Sequence, residues 1–174
     1  MRFVPTAIEG VLGVEVDPHR DARGFFARTY CEDEFAAAGA PLRACQINLS
    51  RNETAGTLRG LHFQAEGEET KLVQCVRGKV WDVALDLRPG SATYLKWFGA
   101  ELSPEGLMAL YLPVGVAHGF ISLTDETDLL YVMGEAYSGR GQGVRWNDPA
   151  FGIHWPREPA VMSAQDAAYP DFRP

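Results

Sequence analysis

The chain has 174 residues, of which 46% are hydrophobic and 22% are charged, and its net charge at pH 7 is −7. This length suits a single domain, residues 1–174, built around one substantial hydrophobic core. The acidic balance argues against broad, non-specific binding to nucleic acid or to anionic membranes, since both require a basic surface. A small anionic ligand is compatible with it, because a few arginines can hold a phosphate.

No apolar run approaches the length needed to cross a bilayer, and the start, MRFVPTAIEG, has too short an apolar stretch for a secretory signal. We therefore expect a cytoplasmic protein that binds no membrane. Cys31, Cys45 and Cys75 form no CxxC pair, which indicates neither a disulfide framework nor a zinc knuckle. We expect these cysteines to be buried free thiols.

The predicted elements are short, because 18 glycines and 11 prolines interrupt the chain frequently. In chain order, CEDEFAAAG (31–39) predicts a two-turn helix that ends at Gly39, and SAQDAAYP (163–170) predicts one or two helical turns near the C-terminus. Between them the sequence predicts strands over KLVQCVRG (71–78), KVWDVALDLRPG (79–90), LMALYLP (107–113), GFISL (119–123) and DLLYVMGEAY (128–137).

The clearest strand lies within residues 79–90 and shows a period of two. One face carries Trp81, Val83, Leu85 and Leu87, and the other carries Val80, Asp82, Ala84 and Asp86. This pattern predicts one apolar face, with the two aspartates making structural polar contacts or lining the outer face. Many strands and few helices predict an all-β fold, here a jelly roll, which can enclose a polar cavity between its sheets.

The histidine spacing gives little support for a metal site. Metal-binding jelly rolls place two histidines two residues apart, but Gly60 and Gln64 occupy the positions two residues from His62. The segment PVGVAH (113–118) does resemble the second cupin motif and ends in His118. Because a first-row metal requires several closely arranged ligands, we expect none to be bound.

A metal-free site could instead assemble around TLRGLHFQ (57–64). His62 can act as a base, Lys71 can stabilise an enolate oxygen, and a tyrosine, Tyr131 or Tyr137, can return a proton. These groups suit proton abstraction next to a carbonyl.

Strand geometry places two conditions on such a site. Tyr131 and Tyr137 are six residues apart, so one extended strand would point both to the same face. Strict alternation would place Arg59 on the opposite face from His62. Both reach one cavity only if Gly60 kinks or bulges the strand.

Seven segments, taken in chain order, are similar to segments of a known family: DARGFFARTY (21–30), QINLSRNETAGTLRGLHFQ (46–64), KLVQCVRGKVWDVALDLRPGSATY (71–94), LPVGVAHGFISL (112–123), YVMGEAY (131–137), RWNDPAFGIHWP (145–156) and SAQD (163–166). The family that they resemble is that of dTDP-4-dehydrorhamnose 3,5-epimerase. This resemblance implies a cupin-type jelly roll, or double-stranded β-helix, with a few short helices. It also implies a cofactor-independent epimerase that acts on a dTDP-4-keto-6-deoxyhexose.

The implied reaction inverts the carbons on either side of a ketone. Carbons 3 and 5 flank the C4 ketone, which acidifies their protons, so a base can remove a proton and an acid can return one to the opposite face. By the resemblance, His62 is the base and is paired with Asp166. Lys71 stabilises the enolate, and Tyr131 is the acid.

The resemblance further implies a set of substrate-binding residues: Arg23 and Arg59 at the diphosphate, Gln46 and Asn48 near the nucleotide, Phe26 in an aromatic patch, and His118 and Tyr137 elsewhere in the pocket. Because the N-terminal segment of this family often reaches a neighbouring subunit, a homodimer is implied, with Arg23 crossing to the partner.

Three positions depart from the family pattern. Arg28 replaces a common glutamate, AEGEE (65–69) replaces a Pro-Pro segment, and Gln165 replaces a basic residue before Asp166. All three lie where nucleotide or phosphate would bind. The sequence therefore leaves open the nucleotide base, the exact sugar and the number of carbons inverted.

Each candidate also has a structural interpretation. His62 could bond to a backbone carbonyl, Lys71 could be a solvated strand end, and the tyrosines could serve packing. Asp166 fits the third position of an S-x-x-D cap that begins at Ser163.

Other functions remain open at this point. The nearest is a single-carbon epimerase, at C3 or C5, on a related nucleotide sugar. Another is a catalytically silent cupin that binds a nucleotide sugar, and a third is a metal-dependent cupin.

Overall fold

The computed structural model describes residues 1–64, 69–137, 139 and 141–173. Within these residues the chain forms fourteen strands and two short helices. The strands are β1 (Arg2–Pro5), β2 (Leu12–Glu15), β3 (His19–Asp21), β4 (Gly24–Phe26), β5 (Gln46–Asn52), β6 (Thr57–Gln64), β7 (Lys71–Arg77), β8 (Val80–Asp86), β9 (Trp97–Leu102), β10 (Met108–Leu112), β11 (Val116–Ser122), β12 (Thr127–Met133), β13 (Gly141–Gly143) and β14 (Val161–Met162). The helices are α1 (Glu32–Ala37) and α2 (Ala164–Ala167).

Two sheets stack to form a sandwich. The first sheet has the order β1-β2-β10-β7-β12-β5, and the second has the order β13-β6-β11-β8-β9, with β14 pairing in parallel beside β6. From β5 to β8, and again from β9 to β13, consecutive strands lie in alternate sheets. This alternation confirms the predicted all-β jelly roll.

The main apolar cluster lies between the sheets. The first sheet contributes Val73, Leu110 and Leu129, and the second contributes Ala84 and Phe120. Further clusters cover the outer faces, where α1 packs on the first sheet and the C-terminal segment packs on the second. Each sheet is therefore covered on its inner face and over part of its outer face.

Strand β8 is buried on both faces, so the prediction of a single apolar face is wrong. Val83 packs outward beneath Phe151 of the C-terminal segment, while Ala84 packs between the sheets. Asp82 and Asp86 are fully buried, so the predicted structural polar contacts are confirmed and the alternative position on an outer face is wrong. A local pattern cannot report this burial, because the covering segment lies more than sixty residues further along the chain.

Strand β12 is shorter than predicted. It ends at Met133, after which the Gly134 N–H donates to the Thr70 carbonyl oxygen at 2.8 Å. A Cβ at Gly134 would collide with the Thr70 side chain, so this close approach depends on glycine. Tyr137 therefore lies outside the strand, and the expected shared face with Tyr131 does not exist.

The three cysteines, all within the described residues, are free thiols, and of these three only Cys75 is buried. Burial raises the pKa of its thiol to about 11. Cys45 is exposed and Cys31 is half-buried, which corrects the expectation of buried thiols. Neither helix in the described part of the chain is long and apolar enough to cross a membrane.

Asp86 anchors the turn that follows β8. Its carboxylate accepts hydrogen bonds from the Arg88 guanidinium at 2.8 Å, and from the hydroxyls of Ser91 and Thr93 at 2.6 Å each. Burial by itself raises the pKa of Asp86, but these donors outweigh it and hold the pKa well below its usual range. The ionised form is therefore the one that stabilises the fold.

We predict that Asp86→Ala lowers the free energy of unfolding by about 3–5 kcal/mol at neutral pH, because it leaves a partly buried guanidinium and two hydroxyls without their acceptor. Since the folded-state pKa of Asp86 is depressed, the difference in free energy of unfolding should have its full size above roughly pH 5. It should shrink as the pH falls below about 4. Urea unfolding at several pH values measures it. Asp17→Ala, at an exposed carboxylate, is the control; equal losses in both variants would contradict the prediction.

Candidate active site

A cavity of about 290 Å³ lies between the two sheets. Its lining consists of Asn48, Leu49, Ser50, Arg59, His62, Lys71, His118, Phe120, Tyr131 and Met133. Strands β5, β7 and β12 of the first sheet supply one wall, and β6 and β11 of the second sheet supply the other. Six of the predicted site residues therefore share one hollow: Asn48, Arg59, His62, Lys71, His118 and Tyr131.

His62 on β6 is paired with a buried carboxylate. Its Nε2 is 2.7 Å from Oδ1 of Asp166, and the His62 side chain is 46% exposed while that of Asp166 is 5% exposed. Burial raises the pKa of Asp166, but the hydrogen bond and charge of His62 and the Gly60 N–H together hold it below its usual value. Asp166 therefore remains a carboxylate, which can orient the imidazole and stabilise its protonated form.

Asp166 also has the capping geometry that the S-x-x-D pattern predicts. Its backbone N–H donates to Oγ of Ser163 at 3.0 Å, at the start of α2. The side-chain carboxylate reaches His62. Both interpretations of Asp166 hold at once, because one uses the backbone and the other uses the carboxylate.

A bulge in β6 brings Arg59 and His62 to the same cavity. His118 of β11 pairs with His62, but Phe120 pairs with Arg59, so two residue steps on β11 face three on β6. The extra residue lies at Gly60, whose φ is +125°. The prediction that Gly60 disrupts the alternation is confirmed. Arg59 is then held by the side chain of Asn52, with Nε donating to Oδ1 at 2.9 Å.

Lys71 begins β7, and its side chain is only 11% exposed, so the interpretation as a solvated strand end is wrong. Its ammonium forms an ion pair with Glu69, whose side chain is 7% exposed. Glu69 was not among the predicted site residues, because it belongs to a loop that departs from the family pattern.

Tyr131 on β12 lines the opposite wall from His62. Its ring packs edge-on against the His118 imidazole, with 5.8 Å between centroids. Burial raises the pKa of Tyr131 well above its usual value, the charge of Asp82 raises it further, and Arg59 partly opposes both. The phenol is therefore protonated at neutral pH and can serve as a proton donor.

His118 forms a second histidine–carboxylate pair that the sequence did not predict. Its Nε2 is 2.8 Å from Oδ2 of Asp82, which is fully buried. The available signal was a carboxylate in the middle of an otherwise apolar strand, since such a group is buried only with a partner.

Comparisons with known proteins identify the family. The family model described as dTDP-4-dehydrorhamnose 3,5-epimerase matches residues 5–174. The chain belongs to this family.

The relatives cover nearly the whole chain. The dTDP-4-dehydrorhamnose 3,5-epimerase of Methanothermobacter thermautotrophicus is 42% identical over 99% of this chain and 95% of its own length. The dTDP-4-dehydrorhamnose 3-epimerase of Streptomyces niveus is 41% identical over 95% of this chain and 81% of its own length. The crystal structure of the Legionella pneumophila 3,5-epimerase in complex with dTDP-4-keto-L-rhamnose has a TM-score of 0.91, with 34% identity over 97% of this chain and 90% of that one.

These matches confirm the resemblance drawn from the sequence and its cupin-type fold. The family motifs around His62, Lys71 and Tyr131 fall on three strands of one cavity. The SAQD motif falls on α2, which places Asp166 against His62. Segments scattered along the sequence therefore converge in one part of the epimerase fold.

Four predicted substrate-binding residues do not line this cavity within a single chain. Arg23 and Phe26 lie on the exposed β3–β4 hairpin, where Arg23 pairs with Asp21. Tyr137 is 65% exposed, and its backbone N–H donates to the Gln46 side chain at 3.1 Å. Gln46 in turn donates to the Asn48 side chain at 2.9 Å, so it contacts the cavity lining indirectly.

The departures from the family pattern have different surroundings. Arg28 pairs with Glu34 of α1 at 2.8 Å. Gln165 donates to the hydroxyl of Tyr169 at 3.1 Å, and the Tyr169 ring lies edge-on to the His62 ring, with 6.3 Å between centroids. Of the AEGEE segment, residues 65–68 lie outside the described residues. Among the residues that are described, no group of three or more His, Cys, Asp or Glu side chains is arranged to hold a metal ion.

We predict that Gly60→Ala lowers the free energy of unfolding by about 2–4 kcal/mol, since it combines backbone strain with overpacking. The new Cβ would lie 2.5 Å from the Cα of Gly119 and 2.8 Å from the His118 carbonyl oxygen. Chemical denaturation measures the loss.

Gly90→Ala is the matched control, because Gly90 also has a positive φ (+85°) but open space around its Cβ position. It should cost only about 1 kcal/mol, from the backbone conformation alone. Equal stability of the two alanine variants would contradict the prediction that the close approach of β6 and β11 requires a glycine at position 60.

Proposed function

We propose that this protein inverts C3 and C5 of a dTDP-4-keto-6-deoxyhexose. The observation that carries the proposal is that His62, held by a buried carboxylate, and the phenol of Tyr131 line one cavity from opposite sheets. A flat sugar ring between the sheets would then have a base on one face and an acid on the other. The dTDP-4-keto-L-rhamnose in the Legionella pneumophila relative supports the substrate class.

In the proposed reaction His62 removes the proton next to the C4 ketone. Since Asp166 accepts a hydrogen bond at Nε2, the lone pair of the neutral ring resides on Nδ1, which is the nitrogen that takes the proton. The charge moves to the C4 oxygen, where the Lys71 ammonium stabilises the enolate. Tyr131 then donates its proton to the opposite face. The ketone itself acidifies the C–H bond, so the steps require no redox cofactor and no metal.

Substrate binding is proposed for the remaining polar residues of the cavity. Arg59 suits the diphosphate, because a guanidinium binds phosphate oxygens in a bidentate manner. His118, Asn48 and Gln46 would contact the sugar and nucleotide through neutral hydrogen bonds. Tyr137, whose backbone N–H donates to the Gln46 side chain, would join them from outside the cavity lining.

We further propose that the whole chain acts as one domain within a homodimer. Arg23 and Phe26 are exposed on a hairpin that does not reach this chain's own cavity. In a homodimer they would complete the cavity of the partner subunit. Strand β5, the last strand of its sheet, also exposes Ile47 and Leu49 at 62% and 64%. Exposed apolar side chains of this kind are typical of surfaces that a second subunit covers.

A single-carbon epimerase is the second candidate function. The Streptomyces niveus relative, a dTDP-4-dehydrorhamnose 3-epimerase, is nearly as similar to this chain as the 3,5-epimerase of Methanothermobacter thermautotrophicus. Incubation with dTDP-4-keto-6-deoxyglucose in deuterium oxide, followed by NMR, distinguishes the two functions. Deuterium and inversion at both C3 and C5 would support the first proposal, and inversion at one carbon would support the second. A protein that only binds the sugar would leave both carbons unlabelled.

We predict that His62→Ala reduces deuterium incorporation at C3 and C5 by roughly 10²–10⁴-fold, the usual contribution of a general base. The protein should stay folded, because the His62 side chain is nearly half exposed. NMR of the labelled sugar measures exchange, and circular dichroism checks folding. His154→Ala, at an exposed histidine away from the cavity, is the control. Normal exchange in His62→Ala would exclude His62 as the base.

For Tyr131→Phe we predict that exchange and inversion separate. The base still removes the proton, but the acid on the opposite face is gone, so the inverted product should form about 10²-fold more slowly. The ratio of labelled substrate to inverted product measures this split. Tyr94→Phe, which removes a hydroxyl outside the cavity lining, should behave as the wild type. An unchanged product rate in Tyr131→Phe would remove Tyr131 from its role.

A further inference from the structure

The ammonium of Lys71 does not stand alone in the cavity wall. Lys71 Nζ forms an ion pair with Oε2 of Glu69, and the two side chains are 11% and 7% exposed. Most lysine–glutamate pairs lie at the surface, where solvent weakens them. A pair buried to this degree is held by its surroundings, because each charge would be costly without the other.

Glu69 is in turn tied to the strand that carries the base. The Gln64 side chain, at the end of β6, donates from Nε2 to Oε1 of Glu69 at 2.7 Å. Gln64 is two residues from His62, so one strand end carries both the imidazole and the amide that holds Glu69. The backbone beside Glu69 is also fixed, since the Thr70 carbonyl oxygen accepts from the Gly134 N–H at 2.8 Å.

We propose that Glu69 is a positioning residue for the epimerisation: its buried carboxylate, anchored by Gln64, holds the Lys71 ammonium against the cavity where the C4 oxygen of the substrate would lie. This inference rests on the proposed function. Glu69 touches no reacting atom and acts through Lys71 alone.

Lysine needs such a partner more than arginine would. Its ammonium sits on a flexible four-carbon chain and is strongly hydrated, so without a counterion it would extend toward water and away from the ketone. The ammonium has three donors, so a bond to Glu69 leaves others for the C4 oxygen. The carboxylate does partly offset the positive field at the enolate. The gain in position is larger, because a stabilising donor acts only if it is already in place when the charge develops.

The test is a double-mutant cycle on kcat with dTDP-4-keto-6-deoxyglucose as substrate. We predict that Glu69→Gln, which keeps the shape and removes the charge, lowers kcat about tenfold while KM changes less than about twofold. Deuterium exchange at C3 and C5 should fall with kcat, since the enolate forms more slowly. In a Lys71→Met background, Glu69→Gln should change kcat less than about twofold, because nothing remains to be positioned.

Two variants keep the test decisive. Glu101→Gln removes the carboxylate of an exposed lysine–glutamate pair, with Lys79, and should leave kcat unchanged. Glu69→Asp keeps the charge but shortens the side chain, so its kcat should lie between those of Glu69→Gln and the wild type; it also serves as the test should Glu69→Gln fold poorly. Thermal denaturation checks every variant.

The outcomes separate the two proposals. A wild-type protein that exchanges neither carbon would overturn the proposed function and this inference with it. If the wild-type enzyme exchanges normally and Glu69→Gln, or Glu69→Asp where Glu69→Gln folds poorly, has the same kcat as the wild type, only the role of Glu69 is overturned. Equal losses from Glu69→Gln with and without Lys71 would also overturn it, since the glutamate would then act on something else.

Discussion

The cavity depends on one backbone contact between neighbouring strands. Gly60 on β6 and Gly119 on β11 approach so closely that a Cβ on Gly60 would lie 2.5 Å from the Cα of Gly119. A Cβ on Gly119 would in turn lie 3.0 Å from the Arg59 carbonyl oxygen. The contact accommodates the extra residue of β6, and the resulting bulge turns Arg59 and His62 toward the same hollow. With a side chain at either glycine the strands would have to separate, and the imidazole would lose its place opposite the other sheet.

Three basic side chains around that hollow are each paired with a carboxylate, and the pairs follow one rule, whereas Arg59 is held by the Asn52 amide oxygen. In His62–Asp166, His118–Asp82 and Lys71–Glu69, the basic member lines the cavity and the carboxylate lies at least as deep in the protein. A buried carboxylate is tolerated when a cation or hydrogen-bond donor satisfies it, and it fixes that partner in return. The groups that would meet a sugar are thereby oriented before it arrives, which is the condition for electrostatic stabilisation of a developing charge.

Much of this arrangement could be predicted from the sequence, and the exceptions share a cause. Motif similarity was enough to predict that His62, Lys71 and Tyr131 lie close together, which their shared cavity shows, and a glycine between Arg59 and His62 was enough to predict the bulge. The outer face of β8, the end of β12 and the exposure of Cys45 were predicted wrongly. Each depends on a segment distant in the chain, or on solvent that a local pattern does not describe. The partner of Asp82 and any role for Glu69 went unpredicted for the same reason, since a carboxylate acquires a role only from the group that it meets.

The sequence by itself determined the all-β class, the family and the chemical groups available for proton transfer. These follow from alternation, turn residues and collinear motifs, all of which are local properties of the chain. Only the tertiary structure decided which groups meet: Asp166 reaches His62 across 104 residues of sequence, and Asp82 reaches His118 across 36. Stacking two sheets with alternating strands brings these segments together. Ion pairing and burial depend on distances in space, which spacing along a chain does not specify.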